Sequence, residues 1–178
     1  FYPDFKRFNI TNLDDNHMML FHRRTIDIAA TANGRLKVFF NNNKITINNF
    51  KQYMEACFPG NDIYIDTVDT WGVGCIYKMD KGGENISFVN SISTYRGGTH
   101  CSHVVDNIIK LLISDYIKKK DKDIKVSPTL LKENLIFFVN SIIENPAFSS
   151  QTKDTLTTKA DKFGSKYTPT PAFMKKLA

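Results

Sequence analysis

Cysteine is scarce. Cys57, Cys75 and Cys101 are the only three in 178 residues, odd in number and without a Cys-x-x-Cys pair. That excludes a disulfide-stapled scaffold and a cysteine-based zinc site, and it fits a reducing compartment. Long apolar runs are missing too. None approaches the roughly 20 residues of a membrane-spanning helix, and no signal peptide is visible, so no membrane partner is expected. A phosphate-binding P-loop is absent, because Gly164-Ser165-Lys166 lacks the glycine five residues upstream. No Ser/His/Asp or Cys/His set has supporting motif context. His100-Cys101-Ser102-His103 supplies ligand types within one turn but no fourth ligand for a tetrahedron, so no metal site is expected. His100 reads instead as part of the loop over residues 97–100, and Cys101 as part of a helix packing face.

What is present describes an ordinary globular chain. Hydrophobic residues make up 42% and charged residues 24%, enough to build a core without a staple. The net charge is +6 and the isoelectric point about 9.2, which favours a polyanionic partner without establishing one. The chain begins at Phe1 and ends at Ala178 within a helical pattern, and reads as an excised piece of a longer protein.

Apolar residues from Leu13 to Ile28 recur at helical spacing until Asn33-Gly34 breaks them. Residues 36–40 and 45–47 read as a hairpin around a turn at 41–44, and residues 50–58 as a short helix stopped by Pro59-Gly60. Three strands are expected at 63–68, 71–79 and 85–92, the last two joined by a hairpin turn at 80–83. Gly97-Gly98 opens a long helix with an apolar stripe through Val104, Val105, Ile108, Leu111, Leu112 and Ile113. Ser127-Pro128 starts another short helix, and residues 135–143 form the most buried strand. A helix begins in 169–177. Strands, a crossover helix and a further strand predict an α+β fold: a two-layer sandwich with a mixed sheet and helices on one face.

Two stretches carry candidate chemistry. After the buried strand, residues 145–153 read Asn-Pro-Ala-Phe-Ser-Ser-Gln-Thr-Lys, a polar loop offering hydroxyls, an amide (Gln151) and an ammonium (Lys153). A lysine there can act as a point charge on a terminal phosphate, although a solvated surface lysine is the commoner reading on spacing alone. Lys118, Lys119, Lys120 and Lys122 form the densest basic run. Neutralising a duplex DNA backbone and solvating a helix end both suit it. It has no interleaved aromatics, so a stacking platform for single strands is not expected. Asp121 and Asp123 within the run read as solvated charge. A catalytic set is missing: one lysine supplies neither a general base nor a metal ligand. The chain is either not an enzyme or completes a site held elsewhere.

Ordered motifs spread over nearly the whole length carry a resemblance. They are Pro3-Asp4-Phe5-Lys6-Arg7-Phe8, Arg23-Arg24-Thr25-Ile26-Asp27-Ile28-Ala29, Ile86-Ser87-Phe88-Val89-Asn90-Ser91 and Arg96-Gly97-Gly98-Thr99-His100. Phe138-Val139-Asn140-Ser141-Ile142-Ile143-Glu144-Asn145-Pro146, Ser150-Gln151-Thr152-Lys153, Leu156-Thr157 and Phe163-Gly164-Ser165 complete them. The chain resembles the transducer region of type IIA DNA topoisomerase II of the eukaryotic or large-virus kind. The resemblance implies that residues 1–30 are the tail of a GHKL ATPase domain with its joining helix. Residues 31–166 would be the transducer domain, with the fold of the second domain of a small-subunit ribosomal protein. Residues 167–178 would start a linker helix toward the DNA-cleavage core. It implies that Gln151 and Lys153 contact the γ-phosphate of ATP and that nucleotide state is relayed to the DNA gate. In the parent isomerase ATP and Mg2+ would be bound mainly outside this segment, which alone is not expected to be catalytic. The implied partners are duplex DNA, the ATPase domain and cleavage core of the same chain, and a second copy in a homodimer. The implied setting is the nucleus or another intracellular site of DNA replication. Two other readings stay open: a basic wall guiding DNA in the same enzyme, or a stand-alone nucleic-acid-binding module. In the family an aspartate commonly precedes Ser-Gln-Thr-Lys, and here Ser149 takes its place.

Overall fold

The most apolar strand takes the centre of the sheet. Leu135–Ser141 (β7) buries nearly every side chain, so both its faces need cover and both its edges need partners. The computed structural model describes residues 2–79, 83–120 and 125–178. In it, Ile63–Val68 (β3) and Trp71–Tyr77 (β4) form an antiparallel hairpin, and β4 pairs antiparallel with β7. On its other side β7 pairs in parallel with Asn85–Val89 (β5), which turns back into Ile92–Ser93 (β6). The order is β3-β4-β7-β5-β6, a mixed sheet.

Alternation along β7 assigns the two faces. Leu135, Phe137 and Val139 join Trp71, Val73 and Cys75 in one core, beneath Thr99–Leu111 (α3) and Pro171–Leu177 (α6). Ile136 and Phe138 join Ile76 and Phe88 in the other, against Phe50–Cys57 (α2) and Ala30 near the end of Asp15–Thr31 (α1). The expected α+β sheet with its helical layer is there, and a second, smaller helical layer covers the opposite face. Gly74 makes that layer possible: a Cβ there would lie 2.1 Å from the sulfur of Met54. Helix starts are chemically marked. Asp14, Asn49, Ser127 and Thr170 each accept a hydrogen bond from a backbone N–H of the first turn, Ser127 for Pro128–Asn134 (α5) and Thr170 for α6.

Four expectations need correction. β4 and β5 are not hairpin partners, because β7 lies between them; their connection at 80–82 falls outside the described residues. The reason is burial: a strand apolar on both faces outcompetes a local partner for the central position. The strand expected at 85–92 is two, since Asn90 and Ser91 adopt φ of 51° and 65° and reverse the chain. The early hairpin is shorter than expected. Only Phe39–Phe40 (β1) and Asn43–Lys44 (β2) pair, around a turn at Asn41 and Asn42 with φ of 47° and 64°. Asparagine tolerates that left-handed geometry, which is the hairpin geometry, so the turn takes two residues rather than four. The long helix leaves α geometry at Leu112–Ile117, a π-helical segment, and resumes as Lys118–Lys120 (α4). Among the described residues no helix is long and apolar enough to cross a membrane.

Candidate functional site

Beyond β7 the chain builds a small hairpin of its own. Thr157 N–H donates to Ala147 O (2.9 Å) and Ser149 N–H to Thr155 O (3.0 Å), with Phe148 bridging Leu156. Its base is pinned to the start of α3. Leu156 N–H donates to Gly97 O and Thr99 N–H to Leu156 O, both at 3.1 Å. The Thr99 hydroxyl reaches Thr158 O at 2.6 Å. Gly98 has to be glycine here: its φ is 136°, and a Cβ would meet the Leu156 backbone at 2.4 Å. The Gly97-Gly98 pair therefore does more than open a helix. It lets the loop lie directly against the helix start.

The tip spans residues 150–154. Lys153 N–H closes it onto Ser150 O at 3.1 Å, with Lys153 in the left-handed region at φ 60°. Gln151, Thr152 and Lys153 are exposed, and Asp154 is buried. The Asp154 carboxylate accepts from the Ser150 hydroxyl (2.6 Å), the Tyr95 hydroxyl (3.3 Å) and the Ser149 hydroxyl (3.4 Å), and pairs with Arg96 Nε at 3.5 Å. The Ser150 bond above all, with Tyr95 and Arg96 behind it, holds its carboxyl below the usual carboxylate range. Lys153 Nζ lies 5.7 Å from the Phe148 ring centroid and makes no ion pair among the described residues. The tip thus offers solvent one ammonium and one carboxamide, donors suited to phosphate oxygens.

The basic run stands elsewhere. Lys118, Lys119 and Lys120 are exposed, with Lys119 loosely paired to Asp115 at 4.0 Å; Lys122 lies outside the described residues. The Lys153 hairpin abuts the first residue of α3, whereas Lys118 follows nineteen positions later along the same rod. At about 1.5 Å per residue in the α-helical part, and less in the π-helical one, Lys118 stands roughly 25 Å along the rod from the residue the hairpin abuts. They cannot serve one small ligand. His100 is fully buried, its Nε2 3.1 Å from the Thr94 hydroxyl, and burial lowers its pKa to about 4. Cys101 packs in the core, and among the described residues no three of His, Cys, Asp or Glu gather to hold a metal.

Sequence reasoning missed two carboxylates. Nothing in the sequence around Asp154 announces Tyr95 or Arg96 as its partners. Asp66, on β3, is buried and accepts from the Tyr167 hydroxyl (2.9 Å), Thr170 N–H (2.9 Å) and the Thr170 hydroxyl (2.8 Å). Beside it the Trp71 indole N–H donates to Ser165 Oγ at 2.9 Å, and the Thr70 and Ser165 hydroxyls meet at 2.7 Å. These bonds fasten the foot of α6 to the β3–β4 hairpin. The Thr170-Pro171 pair signals the cap itself, but not its partner on β3.

Residues 32–177 match a family model described as DNA gyrase B. The chain is 47% identical to DNA topoisomerase 2 of Acanthamoeba polyphaga mimivirus, over 98% of this chain. The chain belongs to the type II DNA topoisomerase family. The Drosophila melanogaster DNA topoisomerase 2 is 39% identical over 100% of this chain. The chain spans 14% and 13% of the length of these two topoisomerases. Among solved topoisomerase structures, the ATPase region of Saccharomyces cerevisiae topoisomerase II superposes with a TM-score of 0.86 at 35% identity, covering 98% of this chain and 45% of that one. The ATPase and transducer domains of Balamuthia mandrillaris topoisomerase II give a TM-score of 0.89 at 34% identity, covering 98% and 44%. The eukaryotic-type resemblance and the mixed α+β fold stand on these matches.

Proposed function

We propose that this chain is the transducer segment of an ATP-dependent type II DNA topoisomerase. In this reading Lys153, helped by Gln151, contacts the γ-phosphate of ATP held by the preceding domain. The observation that carries it is the tip itself: an ammonium and an amide presented to solvent on a hairpin braced against α3. Residues 1–30 then belong to the tail of the GHKL ATPase domain, 31–166 to the transducer, and 167–178 to the helix leading toward the cleavage core. ATP and Mg2+ are bound mainly by the preceding domain; the residues here that fit a terminal phosphate are Lys153 and Gln151.

The relay follows from connectivity. A phosphate bound at the tip favours one placement of the hairpin, and a ligand that prefers one hinge state shifts the population toward it. The hairpin is joined to α3, α3 packs on β4 and β7, and β3 holds the foot of α6 through Asp66. Rotation of the segment as one body would carry α6 with it. ATP hydrolysis by a longer protein containing the ATPase domain is expected to fall at least about 10-fold in Lys153→Ala, with circular dichroism unchanged. Turnover at the wild-type level would sink the assignment.

The exposed Lys118–Lys120 end supports a second role, contact with duplex DNA, with Lys122 as a further candidate. Charge reversal there is expected to weaken DNA binding and flatten its salt dependence; an unchanged salt slope would remove this role. The relatives carry this segment as 14% or less of a longer chain, which favours these roles over a stand-alone module. A homodimeric parent enzyme acting in the nucleus, or at another intracellular site of DNA replication, completes the proposal.

A further inference from the structure

Lys153 and Asp154 are neighbours of opposite charge, yet they do not pair. An exposed lysine beside a free carboxylate has an obvious internal partner, and a phosphate would have to compete with it. The structure removes that competitor. Lys153 at φ 60° turns its side chain to solvent while Asp154 turns inward and is buried. Both carboxylate oxygens are then occupied: Oδ1 by Ser150 and Ser149, Oδ2 by Tyr95 and Arg96. A second tie reinforces the first, since Arg96 N–H donates to Asp154 O at 3.1 Å. Arg96 and Tyr95 lie between β6 and α3, so they tie the tip to the segment that carries α3.

We propose that Asp154 and Arg96 are positioning residues: together they lock the tip and keep the Lys153 ammonium free for an external phosphate. The proposal rests on the γ-phosphate reading above. In this proposal Arg96 acts by holding the carboxylate that would otherwise hold Lys153. Loss of the Arg96 side chain leaves Oδ2 with the Tyr95 hydroxyl and no cation, and Lys153 is the nearest cation in sequence to replace it. Lysine at position 96 keeps a cation within reach of Asp154, without the guanidinium's fork.

The test is steady-state ATP hydrolysis in the full-length enzyme, comparing Arg96→Ala, Arg96→Lys, Asp154→Asn, Lys153→Ala and the double variant Arg96→Ala/Lys153→Ala. Arg96→Ala and Asp154→Asn are each expected to lower kcat/KM for ATP about 10-fold, and Arg96→Lys to recover most of that loss. The double variant is expected to be no worse than Lys153→Ala, because the clamp acts only through the ammonium. A role in folding alone would instead multiply the two losses, and that result would overturn the proposal, as would wild-type kinetics in Arg96→Ala. If Arg96→Ala does not fold, Tyr95→Phe removes a single hydroxyl from the clamp, and a several-fold loss confined to Lys153-containing protein is expected; no loss overturns the proposal. Wild-type turnover in Lys153→Ala would defeat the underlying γ-phosphate reading and this proposal with it. A crippled Lys153→Ala beside a normal Arg96→Ala defeats the clamp alone.

Discussion

The Gln-Thr-Lys tip and the foot of α6 are held in opposite ways. The tip closes largely on itself through residues within five positions, with Tyr95 and Arg96 as its longer-range ties, and it leaves Gln151 and Lys153 exposed with left-handed backbone at Lys153. The foot is buried and held by partners about a hundred positions away: Asp66 for Tyr167 and Thr170, Trp71 and Thr70 for Ser165. On the function proposed above, the difference suits a receiver and a coupling. A receiver needs its charged groups in water, where an arriving phosphate can claim them. A coupling needs satisfied, buried bonds, because every slack hydrogen bond would absorb motion instead of passing it on.

The largest expected effect breaks the coupling. Asp66→Ala leaves the Tyr167 hydroxyl and the Thr170 N–H without their acceptor in a buried site. It is expected to cost about 3 kcal/mol in urea unfolding and to strip amide-exchange protection from α6. A cost below about 0.5 kcal/mol would show that apolar packing, not Asp66, seats the helix.

Acidification sharpens the comparison on the other side, where the tip meets α3. His100 titrates near 4 when folded against 6.5 as its ordinary value, because burial disfavours the cation. As pH falls from 6.5 toward 4 the unfolded chain takes up the proton first. The contribution is therefore complete above pH 6.5 and is lost through that window, on the order of 3 kcal/mol at its lower end. His100→Gln is expected to flatten this part of a stability-against-pH curve. A curve equally steep in the variant would place the acid sensitivity elsewhere. The Asp154 clamp should survive the upper part of the window, since its carboxyl is held below the usual range.

The smallest effect belongs to the tip. Lys153→Gly relieves left-handed backbone strain of about 1 kcal/mol but adds chain entropy of similar size to the unfolded state. Stability is expected to change by less than about 0.5 kcal/mol in the same urea experiment, while on the proposed reading ATP turnover by the longer protein falls as in Lys153→Ala. A loss of 2 kcal/mol or more, an order-of-magnitude bound for a structural position, would mean that Lys153 holds the fold rather than receives a ligand.

Much of this molecule is legible along the chain. The alternation at 63–68 predicts β3 to the residue, the apolar run from Leu135 predicts β7, and Ser127-Pro128 predicts α5 with its cap. The Gln-Thr-Lys tip is legible for the same reason: it is a local polar turn after a buried strand. Lys118–Lys120 follow from the same local logic as an exposed basic helix end. Neither the place of β7 between β4 and β5 nor the partners of Asp66 and Asp154 could be read. Each depends on residues far apart in sequence, and no periodicity encodes which distant strand or hydroxyl fills a given place.

By itself, then, the sequence determined most of the strand and helix segments, the capped start of α5, and which short loop carries an ammonium and an amide. Those properties arise from side-chain period, backbone preference and charge within a few residues. Only the tertiary structure decided the strand order, the placing of the Lys153 tip and the Lys118–Lys120 end at opposite ends of one helical rod, and the burial of Asp66 and Asp154 among their donors. These follow from competition among distant surfaces for the same central position and from the need to satisfy every polar group that burial removes from water.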